Sequence, residues 1–400
     1  MAKKILVVDD SALMRRVISD IINTSNEYEV AAIAKDGVEG FDLIVSNPNL
    51  YSAIILDINM PKMNGLELLK KLQQNRIEQT VIVVSTVAKE GAKETIQALE
   101  YGAFDFVTKP ENYLETKSEI FKTKIHEMLD VATNSKASLQ RVGLLAQDNS
   151  TGKTRADISA TRRDSALNTT AAKPTNDALF ALRKRSGQAV EEAKKVDGAK
   201  FSGVKRGTNK IVALACSTGG PKSLQQVIPM LPKNLDAGMV IVQHMPAGFT
   251  ASLAARLNDI SDINVKEGAD GDVIEKGWVY VAPGGKHLEV EKRGTDYVIR
   301  ISDAPPVDGL KPCANIMYKS LTKSNYDEIT CVVLTGMGAD GTEGIKSLSA
   351  VNKKIHVIAQ DEDTCVVYGM PKAIAMTGLV NEVVPLNLVA ETITKNVGVS

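Results

Sequence analysis

Ser217, His244 and Asp340 are the residues whose types and settings could together break an ester or amide bond. Ser217 follows the apolar run Ile211 to Cys216 and precedes Thr-Gly-Gly-Pro, which suits a sharp turn from a buried strand into a helix. A serine on such a turn exposes its hydroxyl, and the N–H groups of the following helix start can face an oxyanion. The match to the nucleophile pattern G-x-S-x-G is partial, because Ala215 stands where the first glycine would be. His244 ends the apolar run from Met239, and Asp340 lies just beyond the run Ile329 to Thr335. If the three runs are strands of one parallel sheet, a nucleophile, a base and an orienting carboxylate meet at its carboxyl edge. His287 and His356 are the other candidate bases; His356 begins a strand, which puts it at the far edge, and His287 opens a hairpin.

A second set of chemical residues lies near the amino end. Asp9 and Asp10, then Asp57, then Ser85 and Thr86, then Lys109 each follow an apolar run. Three carboxylates crowded at one sheet edge repel one another unless a hard cation such as Mg2+ sits among them.

These residues need elements to position them. Apolar runs at 5 to 8, 30 to 34, 53 to 56, 81 to 84 and 104 to 107 alternate with helical patterns at 12 to 23, 37 to 46, 64 to 73, 89 to 101 and 112 to 130. That alternation predicts a doubly wound parallel sheet, with its site at the carboxyl ends of the strands. From 210 to 398, strands are expected at 211 to 215, 239 to 243, 279 to 282, 287 to 292, 297 to 301, 329 to 335, 355 to 359 and 380 to 384. Helices are expected there at 221 to 231, 249 to 258, 312 to 324, 341 to 350, 366 to 376 and 387 to 396. The reading is therefore α/β: two doubly wound domains at 1–130 and 210–398, the second carrying a β-hairpin insertion. Between them, residues 131–209 read as a flexible linker with little apolar area to bury and a helical pattern around 176 to 193. Residues 136 to 210 hold 16 Lys and Arg against 7 Asp and Glu, so the tether is basic.

The whole chain of 400 residues has zero formal net charge, which argues for neither nucleic-acid nor membrane binding. The four cysteines lack C-x-x-C spacing and read as reduced thiols of a cytoplasmic protein. The opening apolar run ends in Asp9-Asp10 and reads as a first strand, not a signal peptide, and no run approaches a membrane span.

Residues 1 to 125, with Asp-Asp at 9 to 10, Asp-x-Asn-Met-Pro at 57 to 61 and Lys-Pro at 109 to 110, resemble the response-regulator receiver domain. The resemblance implies that Asp57 is the phosphoacceptor, phosphorylated by a histidine kinase. It implies that Asp10, Asp57 and the carbonyl of Asn59 hold Mg2+, with Asp9 supporting the metal's waters. Ser85, or less favoured Thr86, would bond the phosphoryl group, Lys109 would pair with it, and Phe106 would be an aromatic switch.

Residues 210 to 398 resemble the catalytic domain of the chemotaxis protein-glutamate methylesterase family. The resemblance rests on Ser-Thr-Gly-Gly at 217 to 220, Gln-His-Met-Pro-Ala-Gly-Phe-Thr at 243 to 250, Val-Ala-Pro-Gly at 281 to 284, Leu-Thr-Gly-Met-Gly-Ala-Asp-Gly at 334 to 341 and Cys-Val-Val-Tyr-Gly-Met-Pro at 365 to 371. It implies hydrolysis of glutamyl methyl esters, and deamidation of glutamine, on chemoreceptor cytoplasmic domains, with no cofactor for the esterase step. Ser217 would be the nucleophile, His244 the base and Asp340 its orienter, with oxyanion donors near Thr218 and Met337. Cys216, Ala339 and Asn315 depart from the residues familiar in the family, and none is expected to touch the triad.

Two other readings compete. Gly336-x-Gly338-x-x-Gly341 matches a dinucleotide fingerprint, with Asp361 at the end of the next strand, and would make the chain an oxidoreductase. A receiver-linked binding module with a dead site is the other.

Overall fold

The computed structural model describes residues 2–86, 88–110, 118–134 and 209–400. Residues 135–208 of the expected linker, the helical pattern around 176 to 193 and the start of the helix expected from 112 lie outside the described residues, while 131–134, expected to open the linker, continue the helix that begins at Glu119.

The first sheet contains β1 (Lys3–Val8), β2 (Tyr28–Ala34), β3 (Ala53–Asp57), β4 (Val81–Ser85) and β5 (Asp105–Thr108), all parallel, in the order β2-β1-β3-β4-β5. Helices α1 (Ala12–Ile22), α2 (Gly37–Ser46), α3 (Gly65–Gln74), α4 (Lys89–Glu100) and α5 (Glu119–Asn134) connect and follow them. Every residue of β3 and β4 is buried, which is why both read as unbroken apolar runs rather than alternating ones. Side chains start the helices where the sequence offers caps. Ser11 accepts from Met14 N, Asp36 from Val38 N and Glu39 N, and Asn64 forms a capping box with Glu67.

The second sheet is seven-stranded and parallel, in the order β14-β13-β12-β6-β7-β9-β8. Its strands are β6 (Lys210–Cys216), β7 (Ala237–Gln243), β8 (Asn264–Glu267), β9 (Trp278–Val281), β12 (Glu328–Val333), β13 (Ile355–Gln360) and β14 (Glu382–Val384). The hairpin β10 (His287–Arg293) and β11 (Asp296–Ser302) forms a separate antiparallel pair turning at Gly294, where φ is +64°. Helices α6 (Gly220–Val227), α7 (Phe249–Ile260), α8 (Ala314–Ser320), α9 (Thr342–Ala350), α10 (Met370–Ala375) and α11 (Val389–Val397) complete this half.

The strands β6, β7 and β12 are buried almost throughout, so their hydrophobic burial anchors the edge that carries the site. Several expectations shift. Strand β8 is additional, and its polar Asn264, Lys266 and Glu267 hide it from a search for apolar runs. The helix expected over 312 to 324 is α8 plus a 3-10 turn at Leu321–Lys323, and α10 starts at Met370 rather than 366. The α-helical part of the stretch expected from 221 to 231 stops at Val227, because Pro229 has no N–H to continue the ladder.

Candidate active site and phosphoacceptor site

The register of the second sheet brings its chemical residues level. Cys216 of β6 pairs with Gln243 of β7, so Ser217 and His244, one residue on, leave the sheet side by side. Ser217 N donates to Thr335 O at 3.0 Å, which ties the same edge to the chain leaving β12. Gly219, at φ +76°, supplies the left-handed bend that lets α6 begin immediately at Gly220.

Asp340 reaches back to this edge. Its Oδ2 lies 2.8 Å from His244 Nε2 and accepts from Ala314 N at 2.6 Å. Its Oδ1 accepts from Asn315 N, Gly341 N and the thiol of Cys313. Burial alone would raise this carboxyl, but the His244 bond and charge and the N–H groups of Ala314 and Asn315 bring it down to about 2. Burial and the Asp340 charge push the Cys313 thiol up to about 11, so it stays protonated and donates. A carboxylate can only accept, so Nε2 of His244 bears the proton and Nδ1 is left as the basic atom.

The expectation that the departures leave the triad untouched is corrected for Asn315. Its backbone N–H holds Asp340, and its side-chain Oδ1 accepts from Gly341 N and Gly344 N, capping α9. Asp340 caps α8 in turn, so two helices exchange caps across the site. Sequence spacing could not show this, because the partners lie some 25 residues apart and neither caps its own helix.

Ser217, Thr218, His244 and Met337 line one pocket. Among the described residues, neither Thr218 N nor Met337 N has a protein acceptor, and no hydrogen bond joins Ser217 Oγ to His244. Nucleophile and base commonly close to bonding distance only around substrate. The rival histidines lie elsewhere: His287 is buried on the hairpin and donates to Pro305 O, and His356 pairs with Glu382 of β14.

The glycine loop at 336 to 341 is committed to this edge. A Cβ at Gly336 would fall 2.4 Å from Met370 Sδ and 2.8 Å from Ser217 Cβ. Asp361, which a dinucleotide ribose would need, accepts from Thr364 N and Thr364 Oγ1.

The first sheet's carboxyl edge gathers the acids. Ligand oxygens of Asp9, Asp10 and Asp57 lie within 4.8 Å of one another, an all-oxygen donor set that fits Mg2+. Lys109 Nζ stands 2.7 Å from Asp57 Oδ2 and 2.9 Å from Asp9 Oδ2. Burial pushes the Asp57 carboxyl up, against the pull of Lys109. Ser85 Oγ is buried and donates to Gly91 O, whereas Thr86 is exposed. Asn59, two residues beyond β3, is exposed.

The same pocket is walled on its other side by the first sheet's Asp105, Phe106 and Thr108, and by Met128 of α5. Asp105 Oδ2 accepts from Gly219 N at 3.1 Å, and the Phe106 ring stacks on Phe249 with centroids 4.6 Å apart. Arg256 of α7 makes a two-pronged bond to Glu100 of α4. Sequence reading missed Asp105 and Glu100, since an acid at a strand start or a helix end usually meets solvent.

Comparisons with known proteins match both halves of the chain. The family described as CheB methylesterase matches residues 212–393, and the response regulator receiver domain matches residues 5–120. A protein-glutamate methylesterase/protein-glutamine glutaminase of Pyrococcus horikoshii is 39% identical over 400 residues, covering 98% of this chain and 93% of that one. One of the same name from Bacillus subtilis is 38% identical over 394 residues, covering 98% of this chain and 97% of that one. Among solved structures, the Thermotoga maritima CheB methylesterase catalytic domain is 38% identical, covering 48% of this chain and 100% of that one, with a TM-score of 0.46. The receiver in front, the hydrolase-like edge behind and relatives matching nearly end to end together place this chain in the CheB family of protein-glutamate methylesterases.

Proposed function

We propose that the chain hydrolyses glutamyl methyl esters on the cytoplasmic domains of chemoreceptors, and deamidates glutamine there, under control of its receiver. The observation that carries the reading is His244 held by Asp340 at 2.8 Å, on a strand end level with Ser217. His244 Nδ1 takes the Ser217 proton as Oγ attacks the ester carbonyl, and the oxyanion is met by Thr218 N and Met337 N. Collapse breaks the C–O bond, and the leaving methoxide takes the proton from His244 as methanol. Water then attacks the acyl-enzyme with His244 accepting one of its protons, the departing Ser217 alkoxide takes that proton back, and the freed acid gives its remaining proton to solvent and leaves as the carboxylate. An amide follows the same route with ammonia leaving. No step requires a cofactor.

Regulation falls to the first domain. Asp57 is the acceptor of a phosphoryl group from a chemotaxis histidine kinase, and Lys109, already against Asp57, pairs with the incoming oxygens. Asp10, Asp57 and the Asn59 carbonyl would hold Mg2+, with Asp9 supporting its waters, and the ion would neutralise phosphoryl charge. A hydroxyl at 85 or 86 would bond the phosphoryl group. Because Asp105 and Phe106 wall the pocket around Ser217, the unphosphorylated receiver covers the site, and phosphorylation acts by shifting that docking. The covering contacts involve residues 1–130 and 210–398, the two domains proposed here, with 131–209 as tether. A cytoplasmic location follows from the receptor face acted upon; among the described residues, no helix is long and apolar enough to cross a membrane.

The test is methanol release from methylated receptor membranes, with and without a small phosphodonor. Release that depends on Ser217 and rises with phosphodonor is expected. A chain that releases none, and whose Ser217 does not label with a serine-directed phosphonate, would be a receiver-linked binding module instead.

A further inference from the structure

Gln243 ends β7 with its side chain 1% exposed, directly level with Cys216 across the sheet. A buried amide must find partners for its donors and its acceptor, and this one finds all three at the edge where the reaction is placed. Its Nε2 donates to Ser217 O at 3.0 Å and to His244 O at 3.1 Å. Its Oε1 accepts from Cys216 Sγ at 3.0 Å, and burial keeps that thiol protonated by raising it far above its ordinary range. Room for the amide is reserved by Gly220, where a Cβ would stand 2.0 Å from Oε1.

We infer that Gln243 is a positioning residue for hydrolysis: one planar amide grips the backbone of Ser217 and of His244 and so fixes the spacing of the two strand ends from which nucleophile and base close on each other around substrate. The inference rests on the reading of Ser217 and His244 given above. Other backbone bonds hold each residue to its own surroundings, Ser217 N to Thr335 O and His244 N to Cys216 O. The Gln243 amide is the side chain that contacts both at once. Its two donors must stay donors, because both groups they meet are carbonyl oxygens. A side chain of similar length without N–H groups would leave those carbonyls unpaired and free the Ser217 turn to drift. A misplacement of about 1 Å at reacting atoms costs on the order of 100-fold in rate.

The experiment compares the full-length Gln243→Met, Gln243→Glu and Ser217→Ala variants, read by kcat and KM on methylated receptor, by the rate of Ser217 labelling with a small fluorophosphonate, and by Tm. Gln243→Met should lower kcat and labelling rate together, by roughly 10- to 100-fold, with KM within about twofold. In Gln243→Glu the introduced carboxyl, buried between two carbonyls, should hold its proton near neutral pH and donate one bond. That variant should keep partial activity and lose it as pH rises through an ionisation the native profile lacks. A purely structural Gln243 would move Tm without adding that ionisation. Native kcat in folded Gln243→Met overturns the inference, as does a Gln243→Glu profile parallel to the native one. If the Met variant does not fold, the Glu profile decides alone. Full activity in Ser217→Ala would sink the site reading itself, whereas an inactive Ser217→Ala beside an unimpaired Gln243→Met sinks only the role of Gln243.

Discussion

The Asp105 carboxylate sits against the backbone of Gly219, accepting its N–H two residues beyond Ser217 at 3.1 Å. Burial raises this carboxyl to about 6 despite the N–H groups of Phe106 and Gly219. A folded-state value above the unfolded one stabilises the docked arrangement below the ordinary carboxyl range, and that contribution is lost as pH rises through about 6. The covering contact should therefore weaken progressively between about pH 4 and 6. The measurement is the activity of the unphosphorylated full chain divided by that of residues 209–400 alone, which removes the pH dependence of the hydrolysis itself that the two share. Lys124 and Glu127 also line the pocket, so Asp105→Asn is the control. The ratio should rise with pH in the native chain and stay flat in the variant; parallel curves would remove Asp105 from the contact.

Phe106 and Phe249 couple the two halves through an aromatic stack, a pair worth about 0.5–1.5 kcal/mol beyond its burial. Phe249→Leu should raise unphosphorylated activity by a few-fold and shrink the further gain from phosphodonor. Asp57→Asn should abolish the gain and leave the unphosphorylated rate alone. An undiminished gain in Phe249→Leu would exclude the stack from the response.

The Arg256–Glu100 pair is partly exposed, so its contribution should be modest, within about 1 kcal/mol. Arg256→Glu should raise unphosphorylated activity by up to about fivefold, and the added exchange Glu100→Arg should restore the native rate. Failure of the double variant to recover would mean that Arg256 acts elsewhere.

Asp340 serves two ends, and its removal should be felt at both. Asp340→Asn should lower kcat by on the order of 10^4, since the imidazole tautomer is no longer fixed, and should also lower Tm because α8 loses a charged cap. Ser217→Ala should lower kcat toward background, by up to ~10^6, with Tm little changed. In the native chain, a carboxyl held at about 2 contributes roughly 2 kcal/mol above the unfolded value near 4, and that stability is lost as pH falls toward 2. Acid titration of native and Asp340→Asn proteins, followed by circular dichroism, should show the difference narrowing over that range.

Much of this site was legible in the chain because chemistry at a parallel sheet follows apolar runs. The runs ending before Ser217, His244 and Asp340 announced both strand and edge, and β6, β7 and β12 lie where those runs are. What stayed hidden depends on partners remote in sequence. Asn315 reads as a polar residue near a helix start, and only the fold brings it to Gly341 and Gly344. Gln243 reads as the polar end of a strand until the register sets it beside Cys216. Asp105 reads as a strand opening, and its role appears only when a second domain supplies Gly219. Strand β8 was invisible because its inward Val265 is flanked by polar residues that tolerate partial exposure.

The first sheet draws all its strands from Lys3 to Thr108, whereas the second begins only at Lys210. Chains fold amino end first during synthesis, at about 5–20 residues per second. On the covering role proposed above, the receiver is thus finished while the site it covers is still unmade. Interchanging the two coding halves would reverse that sequence, exposing a working esterase to receptors until its cover emerged. Phosphonate labelling of ribosome-bound chains carrying a flexible extension after residue 400, long enough to bring the last helix out of the exit tunnel, would reveal whether the native order keeps newborn protein silent.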